Sequence, residues 1–158
     1  IYEGPNAVQS LDLRGRKILG DQGATLKKFC KLIAALVEEE GLNEKMSEFI
    51  NPLGYLADQM TKFTTEIGFK GFVNPDEVGG ASVDYLRVAG HLVFGYFFAR
   101  MASVALKKQA EGSTDPFYTA KLQTARFYFA RLFPETASLM RTARSGVANL
   151  LDTDAALA

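Results

Sequence analysis

The strongest constraint on the fold is a seam of large apolar residues that are spaced alternately by three and four positions. The seam occupies residues 44–69, and its members are Met46, Phe49, Leu53, Leu56, Met60, Phe63 and Ile67. This spacing places every member on one face of an α-helix, which has about 3.6 residues per turn. Period-two alternation, which is typical of half-buried strands, is nearly absent from the chain. The sequence therefore predicts an all-α fold.

Other segments show the same helical periodicity. Asn6 can cap a first, shorter helix, and a clean apolar stripe predicts a second helix over residues 24–40. The segment 82–111 is apolar nearly all round, which predicts a central or interface helix. Within it, Gly90 and Gly95 would allow another helix to approach closely. These helices imply an antiparallel bundle of about four long helices, preceded by the shorter one.

Proline and glycine indicate where helices start, bend or stop. Pro52 interrupts the seam and is compatible either with a helix start or with a kink, and the residues alone leave both open. Residues 71–80 combine Asn-Pro with Gly-Gly, which predicts a loop. Asp115 and Pro116 supply a cap and a first position for the last long helix, and Pro134 predicts a bend within it.

Composition narrows the choice of partners. Eighteen basic and eighteen acidic residues cancel, and no basic run is present, so no field attracts nucleic acid or anionic lipid. The most apolar window, residues 88–106, is interrupted by His91 and Arg100, which indicates a buried helix and no integral membrane segment. The lone Cys30 lies among apolar residues, which is typical of a buried, inert thiol. These features favour a cytoplasmic protein.

Side chains able to do chemistry are sparse. His91 is the sole histidine, and it has no neighbouring serine or cysteine in sequence, so neither a hydrolytic triad nor a zinc or di-iron site is predicted. We interpret His91 as a packing residue.

Two further clusters each have two interpretations. The basic residues of the last helix could hold an anionic ligand, but a solvated face is favoured; they are Lys121, Arg126, Arg131, Arg141 and Arg144. An aromatic cluster could line an acyl pocket, but packing in the core or at a subunit interface is favoured; it consists of Phe94, Tyr96, Phe97 and Phe98.

Residues 2–9 read Tyr-Glu-Gly-Pro-Asn-Ala-Val-Gln, and residues 11–16 read Leu-Asp-Leu-Arg-Gly-Arg. This stretch closely resembles the acyl-CoA dehydrogenase segment Tyr-Glu-Gly-Thr-x-x-Ile-Gln, which opens the helix after the catalytic glutamate. Residues 82–100 and 117–128 resemble the helical extension of one branch of that family, the methylmercaptopropionyl-CoA dehydrogenase-like enzymes. Together these segments relate nearly the whole chain to that family.

The resemblance implies an FAD-dependent enzyme that converts an acyl-CoA to a 2,3-enoyl-CoA. Glu3 is then the base that removes the α-proton of the substrate, while the β-hydrogen leaves as hydride to the flavin. Exclusion of water near a thioester can raise the pKa of such a carboxylate towards neutrality. Gly4 maps to the position at which the chain passes close to the substrate. The positions that map to flavin contacts are Pro5, Asn6 and Ala7.

Pro5 departs from the family pattern, which has threonine at this position. Proline has neither the hydroxyl nor the backbone N–H of threonine, so this position lacks both donors for a hydrogen bond to the flavin. The glutamate itself is retained at Glu3.

The resemblance divides the chain into residues 1–19, the end of the catalytic helical domain, and residues 20–158, a C-terminal helical-bundle extension. Because the chain begins at Ile1 and the flavin-binding domains of the family lie upstream, we expect a fragment that neither retains FAD nor turns over substrate. The implied partners are an acyl-CoA substrate, electron transfer flavoprotein as acceptor and further copies in a homo-oligomer. The alternative is a freestanding helical module that binds a protein or an acyl chain without catalysis.

Overall fold

The computed structural model describes residues 8–10 and 23–151, and these residues form helices and turns without any strand. The first half contains α1 (Ala24–Glu40), a 3₁₀ turn (Glu44–Met46), α2 (Ser47–Val73), the short α3 (Asp76–Gly80) and α4 (Ser82–Ala110). The second half contains α5 (Pro116–Phe127), a π-helix (Tyr128–Leu132), α6 (Glu135–Arg144) and α7 (Ala148–Leu151). The predicted all-α bundle is confirmed. Residues 8–10 are helical, and the rest of the predicted first helix lies outside the described residues.

The core is built on the seam of α2. Every seam member from Met46 to Ile67 is at most 4% exposed, and burial of one such side chain stabilises a fold by about 1.5–3 kcal/mol. Helix α1 packs chiefly against α2, whereas α4 packs against α2, α5 and α6. The seam therefore lies where the predicted periodicity placed it, at the centre of the bundle.

Both ends of α1 lie where the sequence predicts them, whereas no helix starts at Pro52. Helix α1 occupies the predicted residues 24–40 and ends at Gly41. Helix α2 begins at Ser47, after the 3₁₀ turn, and runs through Pro52. The interpretation of Pro52 as a helix start is therefore wrong. A proline this close to the N-terminus removes only one backbone hydrogen bond, which the buried seam can offset.

The loop predicted over residues 71–80 is also wrong. Helix α2 continues to Val73, and only Asn74 has an extended backbone before Pro75, which already has helical dihedrals, precedes α3. The Asn74 side-chain oxygen accepts a hydrogen bond of 3.1 Å from the backbone N–H of Asp76. Proline has the φ that a helix start requires, so Asn-Pro here separates two helices rather than opening a loop.

The last long helix begins where the sequence predicts it, but it is divided into α5, the π-helix and α6. The Asp115 carboxylate accepts a hydrogen bond of 2.8 Å from a backbone N–H of the first turn, and Pro116 occupies the first helical position. The helix is interrupted at Pro134, where the sequence predicts a bend. Before the interruption it widens into the π-helix, where the N–H of Phe133 donates to the carbonyl of Tyr128 over 2.9 Å. Pro134 then precedes a separate helix, α6.

Gly95 permits a close helix approach, and no described residue approaches Gly90. A Cβ at Gly95 would lie 2.8 Å from Cε2 of Phe133 and 3.1 Å from Cδ1 of Leu53, whereas a Cβ at Gly90 would meet nothing within 4 Å. The prediction of close approach is therefore confirmed at Gly95 and, among the described residues, not met at Gly90, which lies on the outer face of α4.

This difference predicts the effects of two matched substitutions. Gly95→Ala is expected to lower the free energy of unfolding by about 1–2 kcal/mol, because overpacking against two buried side chains exceeds the gain in helix propensity. Gly68→Ala in α2 is the control, since its Cβ would also meet nothing within 4 Å. It is expected to raise stability by about 0.5–1 kcal/mol. Urea unfolding of both variants measures the difference, and equal effects would contradict the close approach.

Candidate functional site

The residues that the sequence assigns to catalysis and flavin binding lie outside the described part of the chain. These residues are Glu3, Gly4, Pro5, Asn6 and Ala7. Their roles therefore stay predictions. The bundle that follows them has two features with functional consequences: a polar network inside it and an apolar surface on the outside of α4.

The polar network joins α4 to the π-helix and to α6. Nδ1 of His91 lies 2.9 Å from the hydroxyl of Tyr128, and Nε2 lies 3.3 Å from Oε2 of Glu135. Arg87 forms an ion pair with the same Glu135 carboxylate. Both ring nitrogens of His91 have partners, and its side chain is only 15% exposed. The interpretation of His91 as a packing residue is confirmed.

Tyr128 is the centre of this network. Its ring stacks on Phe98 at a centroid distance of 4.4 Å, and its hydroxyl also donates to the backbone carbonyl of His91 over 3.3 Å. Burial raises the pKa of Tyr128 to about 12, because the charged phenolate would be poorly solvated there. Tyr128 is thus a neutral hydrogen-bonding group at physiological pH.

The basic residues of the C-terminal helices mostly serve the bundle itself. Arg126 lies 2.8 Å from Glu48, and Arg144 lies 3.0 Å from Glu66, so both reach across to α2. Lys121 lies over the ring of Phe117 at 5.1 Å. Arg131 and Arg141, the other two residues of the set, are exposed. Separate partners on α2 favour the predicted solvated face over an anionic-ligand site, and each half-exposed pair contributes about 0–1 kcal/mol.

Cys30 is half-buried, and Thr61 donates a hydrogen bond of 3.6 Å to its sulfur. Burial raises the pKa of the thiol. A thiol with a raised pKa is a poor nucleophile, so the interpretation as an inert residue holds, although Cys30 is less buried than expected.

The aromatic cluster of α4 divides into an inner and an outer pair. Tyr96 packs edge-on against Phe29 with ring centroids 5.5 Å apart, and Phe98 stacks on Tyr128. Phe94 and Phe97 are 59% and 62% exposed. Only the inner pair fits the expected core packing, and the outer pair is available to a partner.

The exposed face of α4 is an apolar stripe, which we call the outer seam. Its members are Val83, Leu86, Gly90, Val93, Phe94, Phe97, Met101 and Val104, of which five are at least 40% exposed. Between Arg87 and Arg100 the helix carries no acidic residue, lysine or arginine. The expectation of a buried helix is therefore wrong for this face. An exposed apolar stripe of this length marks an interaction surface.

Helix α4 is also the one helix, within residues 8–10 and 23–151, that is long and apolar enough to cross a membrane by length and composition alone. Its inner face packs against α2, α5 and α6. One such helix is weak evidence of a membrane span, because the core helix of a protein can pass the same test.

The groove with the greatest volume among the described residues has few groups that could hold a flavin. This groove, of about 800 Å³, lies between the start of α1, the second half of α2 and α3, and Lys27 is the only cation among its lining residues. The hydroxyls of Thr61 and Thr64 in this groove already donate to backbone carbonyls of α2. A dinucleotide pyrophosphate would have few anchors there. In the same part of the chain, no three His, Cys, Asp or Glu residues cluster as metal ligands.

Over residues 24–154 the chain matches the protein family described as acetyl-CoA dehydrogenase C-terminal like. It is 29% identical, over 87% of its length, to 3-methylmercaptopropionyl-CoA dehydrogenase of Ruegeria pomeroyi. It is 28% identical, over 98% of its length, to broad-specificity linear acyl-CoA dehydrogenase FadE5 of Mycobacterium tuberculosis. Butyryl-CoA dehydrogenase of Syntrophomonas wolfei is 24% identical over 96% of the chain. The chain covers 24%, 26% and 25% of these proteins, about a quarter of the length of each.

The polar network predicts a pH-dependent contribution from Tyr128. The folded chain keeps this phenol protonated up to a pKa of about 12, whereas the unfolded chain releases the proton near its ordinary pKa of about 10. Stability from this group is therefore fully present below pH 10 and is lost as the pH rises from 10 to 12. Tyr128→Phe is expected to weaken this pH dependence and to cost about 1–2 kcal/mol at pH 7, since it leaves His91 without a partner at Nδ1.

Tyr55→Phe is the matched control, because Tyr55 is 68% exposed. It is expected to change stability by less than about 0.5 kcal/mol at any pH. Urea unfolding curves at pH 7, 10 and 11.5 measure both variants. The assignment of Tyr128 would be contradicted by the same pH dependence in wild type and Tyr128→Phe.

Proposed function

Because the chain belongs to the family of acetyl-CoA dehydrogenase C-terminal-like domains, we propose that it is the C-terminal part of an FAD-dependent acyl-CoA dehydrogenase. The family assignment confirms the resemblance found in the sequence. The observation that carries the proposal is that nearly the whole chain matches one quarter of relatives that are named acyl-CoA dehydrogenases. A freestanding binding module would not be expected to match a constant fraction of larger enzymes.

The reaction of the complete enzyme is the conversion of an acyl-CoA to a 2,3-enoyl-CoA, and Glu3 is its base. The Glu3 carboxylate accepts the α-proton of the thioester substrate, and Gly4 lets the backbone pass close to that substrate. A carboxylate in a water-excluded site can have a pKa near neutrality, as a base working at that pH requires. Residues 1–19 thus belong to the catalytic helical domain, and residues 20–158 form the extension. The start of the family match at residue 24 supports this division.

The flavin is held mainly by parts of the enzyme other than this bundle. When bound, FAD supplies the two-electron acceptor of the dehydrogenation. In our proposal Pro5, Asn6 and Ala7 touch it, and the poor fit of the 800 Å³ groove supports placing its other contacts upstream. Pro5 offers the flavin no N–H or hydroxyl, so its contribution is van der Waals contact.

The proposed partners follow from the same assignment. The substrate is an acyl-CoA, the electron acceptor is electron transfer flavoprotein, and the enzyme is a cytoplasmic homo-oligomer. The names of the relatives range from butyryl-CoA to linear acyl-CoA and methylmercaptopropionyl-CoA substrates, so the proposal stays at the class of acyl-CoA thioesters. The bundle joins subunits, and its exposed outer seam is the observation that supports this role.

The role of Glu3 is tested in the full-length enzyme. Glu3→Gln keeps the size of the side chain and removes the basic oxygen, so FAD content is expected to be retained while dehydrogenation falls by at least about 10²-fold. Glu111→Gln, at the exposed C-terminal end of α4, is the matched control and should leave turnover unchanged. Turnover is measured with an artificial electron acceptor. Equal rates for Glu3→Gln and wild type would refute Glu3 as the base.

The proposal that FAD binding and dehydrogenation need the rest of the enzyme is tested with the 158-residue chain alone. We expect it to bind FAD weakly or not at all and to leave an acyl-CoA unoxidised, because the proposal places most of the flavin contacts in the rest of the enzyme. Titration of FAD followed by fluorescence, with an acyl-CoA and a dye acceptor added, measures both. Stoichiometric flavin uptake together with dehydrogenation would show that the bundle carries the active site.

A further inference from the structure

The hydroxyl of Tyr128 has one proton and two acceptors within reach, both on the same residue of α4. It lies 2.9 Å from Nδ1 of His91 and 3.3 Å from the backbone carbonyl oxygen of His91. The ring that carries the hydroxyl is held in place by its stacking on Phe98. A hydroxyl proton rotates about the C–O bond without movement of the heavy atoms, so it can point to either acceptor.

The opposite nitrogen of His91 decides where a single ring proton lies. Nε2 is 3.3 Å from Oε2 of Glu135, and an ionised carboxylate can only accept a hydrogen bond. A neutral imidazole has one N–H, which this contact places on Nε2. Nδ1 is then an acceptor, and the hydroxyl of Tyr128 donates to it. In the neutral state both ring nitrogens therefore have a partner of the right kind.

A second proton on the ring changes these roles without breaking a contact. When Nδ1 of His91 carries a proton, the hydroxyl oxygen of Tyr128 accepts from it, and the hydroxyl proton turns to the backbone carbonyl of His91. The hydrogen bond from Nε2 to Glu135 becomes charge-assisted, and such bonds are stronger than neutral ones. Histidine is the side chain that ordinarily changes its charge between pH 5 and 8.

From this geometry we infer that His91 is a pH-sensitive clasp between α4 and α6, which takes up a proton in place and then holds Glu135 more strongly. The rotating hydroxyl of Tyr128 is the part that lets the ring change its charge without losing a hydrogen bond. The inference goes beyond the proposed function, because it depends only on contacts within the bundle. It gives His91 a second role beside packing.

The charged groups around His91 are consistent with a clasp. Glu135 lies in the first turn of α6, where the helix dipole favours a carboxylate, and its Oε1 is paired with Arg87. Arg87 opposes a second positive charge, but its side chain is 55% exposed, so solvent screens it more than His91, which is 15% exposed. Helices α2 and α5 also pack against α4. Within the described ranges, neither brings an ionisable side chain within hydrogen-bonding distance of the His91 ring.

The clasp is tested by a double-mutant cycle in the 158-residue chain, with His91→Phe and Glu135→Gln made singly and together. Phenylalanine keeps a ring at this position and leaves the hydroxyl of Tyr128 its carbonyl acceptor, and glutamine keeps the size of glutamate without its charge. Urea unfolding at pH 5.5 and pH 8 gives the coupling of the two side chains as a factor in the unfolding equilibrium constant. We expect this factor to be about three times larger at pH 5.5.

Arg126→Gln and Glu48→Gln form the matched control cycle. Arg126 lies 2.8 Å from Glu48, and the Glu48 side chain is 45% exposed, close to the 42% of Glu135. A guanidinium and a carboxylate ordinarily keep their charges from pH 5.5 to pH 8, so the control coupling is expected to be equal at both. A coupling of His91 to Glu135 that is equally insensitive to pH would overturn the clasp.

The ring protons are located independently by ¹⁵N NMR of the unsubstituted chain, a result that does not depend on the folding of any variant. His91 is the sole histidine, so its imidazole signals need no assignment by mutation. The ¹⁵N shifts are expected to show the Nε2–H form at pH 8 and a doubly protonated ring at pH 5.5, with an unchanged circular dichroism spectrum. An Nδ1–H form at pH 8, or a loss of helix as the ring gains its proton, would contradict uptake in place.

Discussion

The close packing of α4 at Gly95 is the contact on which the rest of the bundle depends. Cδ1 of Leu53 and the ring of Phe133 lie so near this glycine that any side chain would collide with one of them. The contact fixes the rotation of α4 about its own axis. It therefore decides which residues of a nearly uniformly apolar helix enter the core and which are left on the surface. His91, one helical turn before Gly95, is thereby turned towards Tyr128 and Glu135.

Local sequence patterns predicted the helices well because helices are held together by local hydrogen bonds. The stripe of α1 and the seam of α2 repeat every three or four residues, and both helices lie where these repeats occur. The errors arose where one local signal has two structural meanings. Asn74 and Pro75 end one helix and precede another, and proline is compatible with both.

Long-range contacts could not be predicted from the same patterns. Tyr128 is 37 residues from His91 in sequence, and no spacing rule relates them. The π-helix at Tyr128 likewise has no residue signature in the chain, although it precedes the Phe133 ring that packs on Gly95. The exposure of Phe94 and Phe97 depends on the rotation of α4, so the sequence could identify an aromatic cluster without telling its inner pair from its outer pair. The proposed catalytic residues were found differently, through a short motif that resembles a known family.

The bundle and the proposed active site make opposite uses of charged groups. In the described bundle, carboxylates such as Glu48, Glu66 and Glu135 each face an arginine on another helix, so they hold helices together. A base needs a carboxylate without such a partner, in a site from which water is excluded. A scaffold in which these carboxylates are paired and a separate segment that carries Glu3 are therefore consistent parts of one enzyme.

The two glycines of α4 have different surroundings. Each glycine within a helix costs about 1 kcal/mol relative to alanine. At Gly95 this cost is offset by the close packing of Leu53 and Phe133, which no larger residue would allow. Nothing in the described chain lies against Gly90, and the same is true of Gly68 in α2. An uncovered helical glycine therefore does not by itself indicate a contact, whereas a glycine with two side chains within about van der Waals distance of its missing Cβ does.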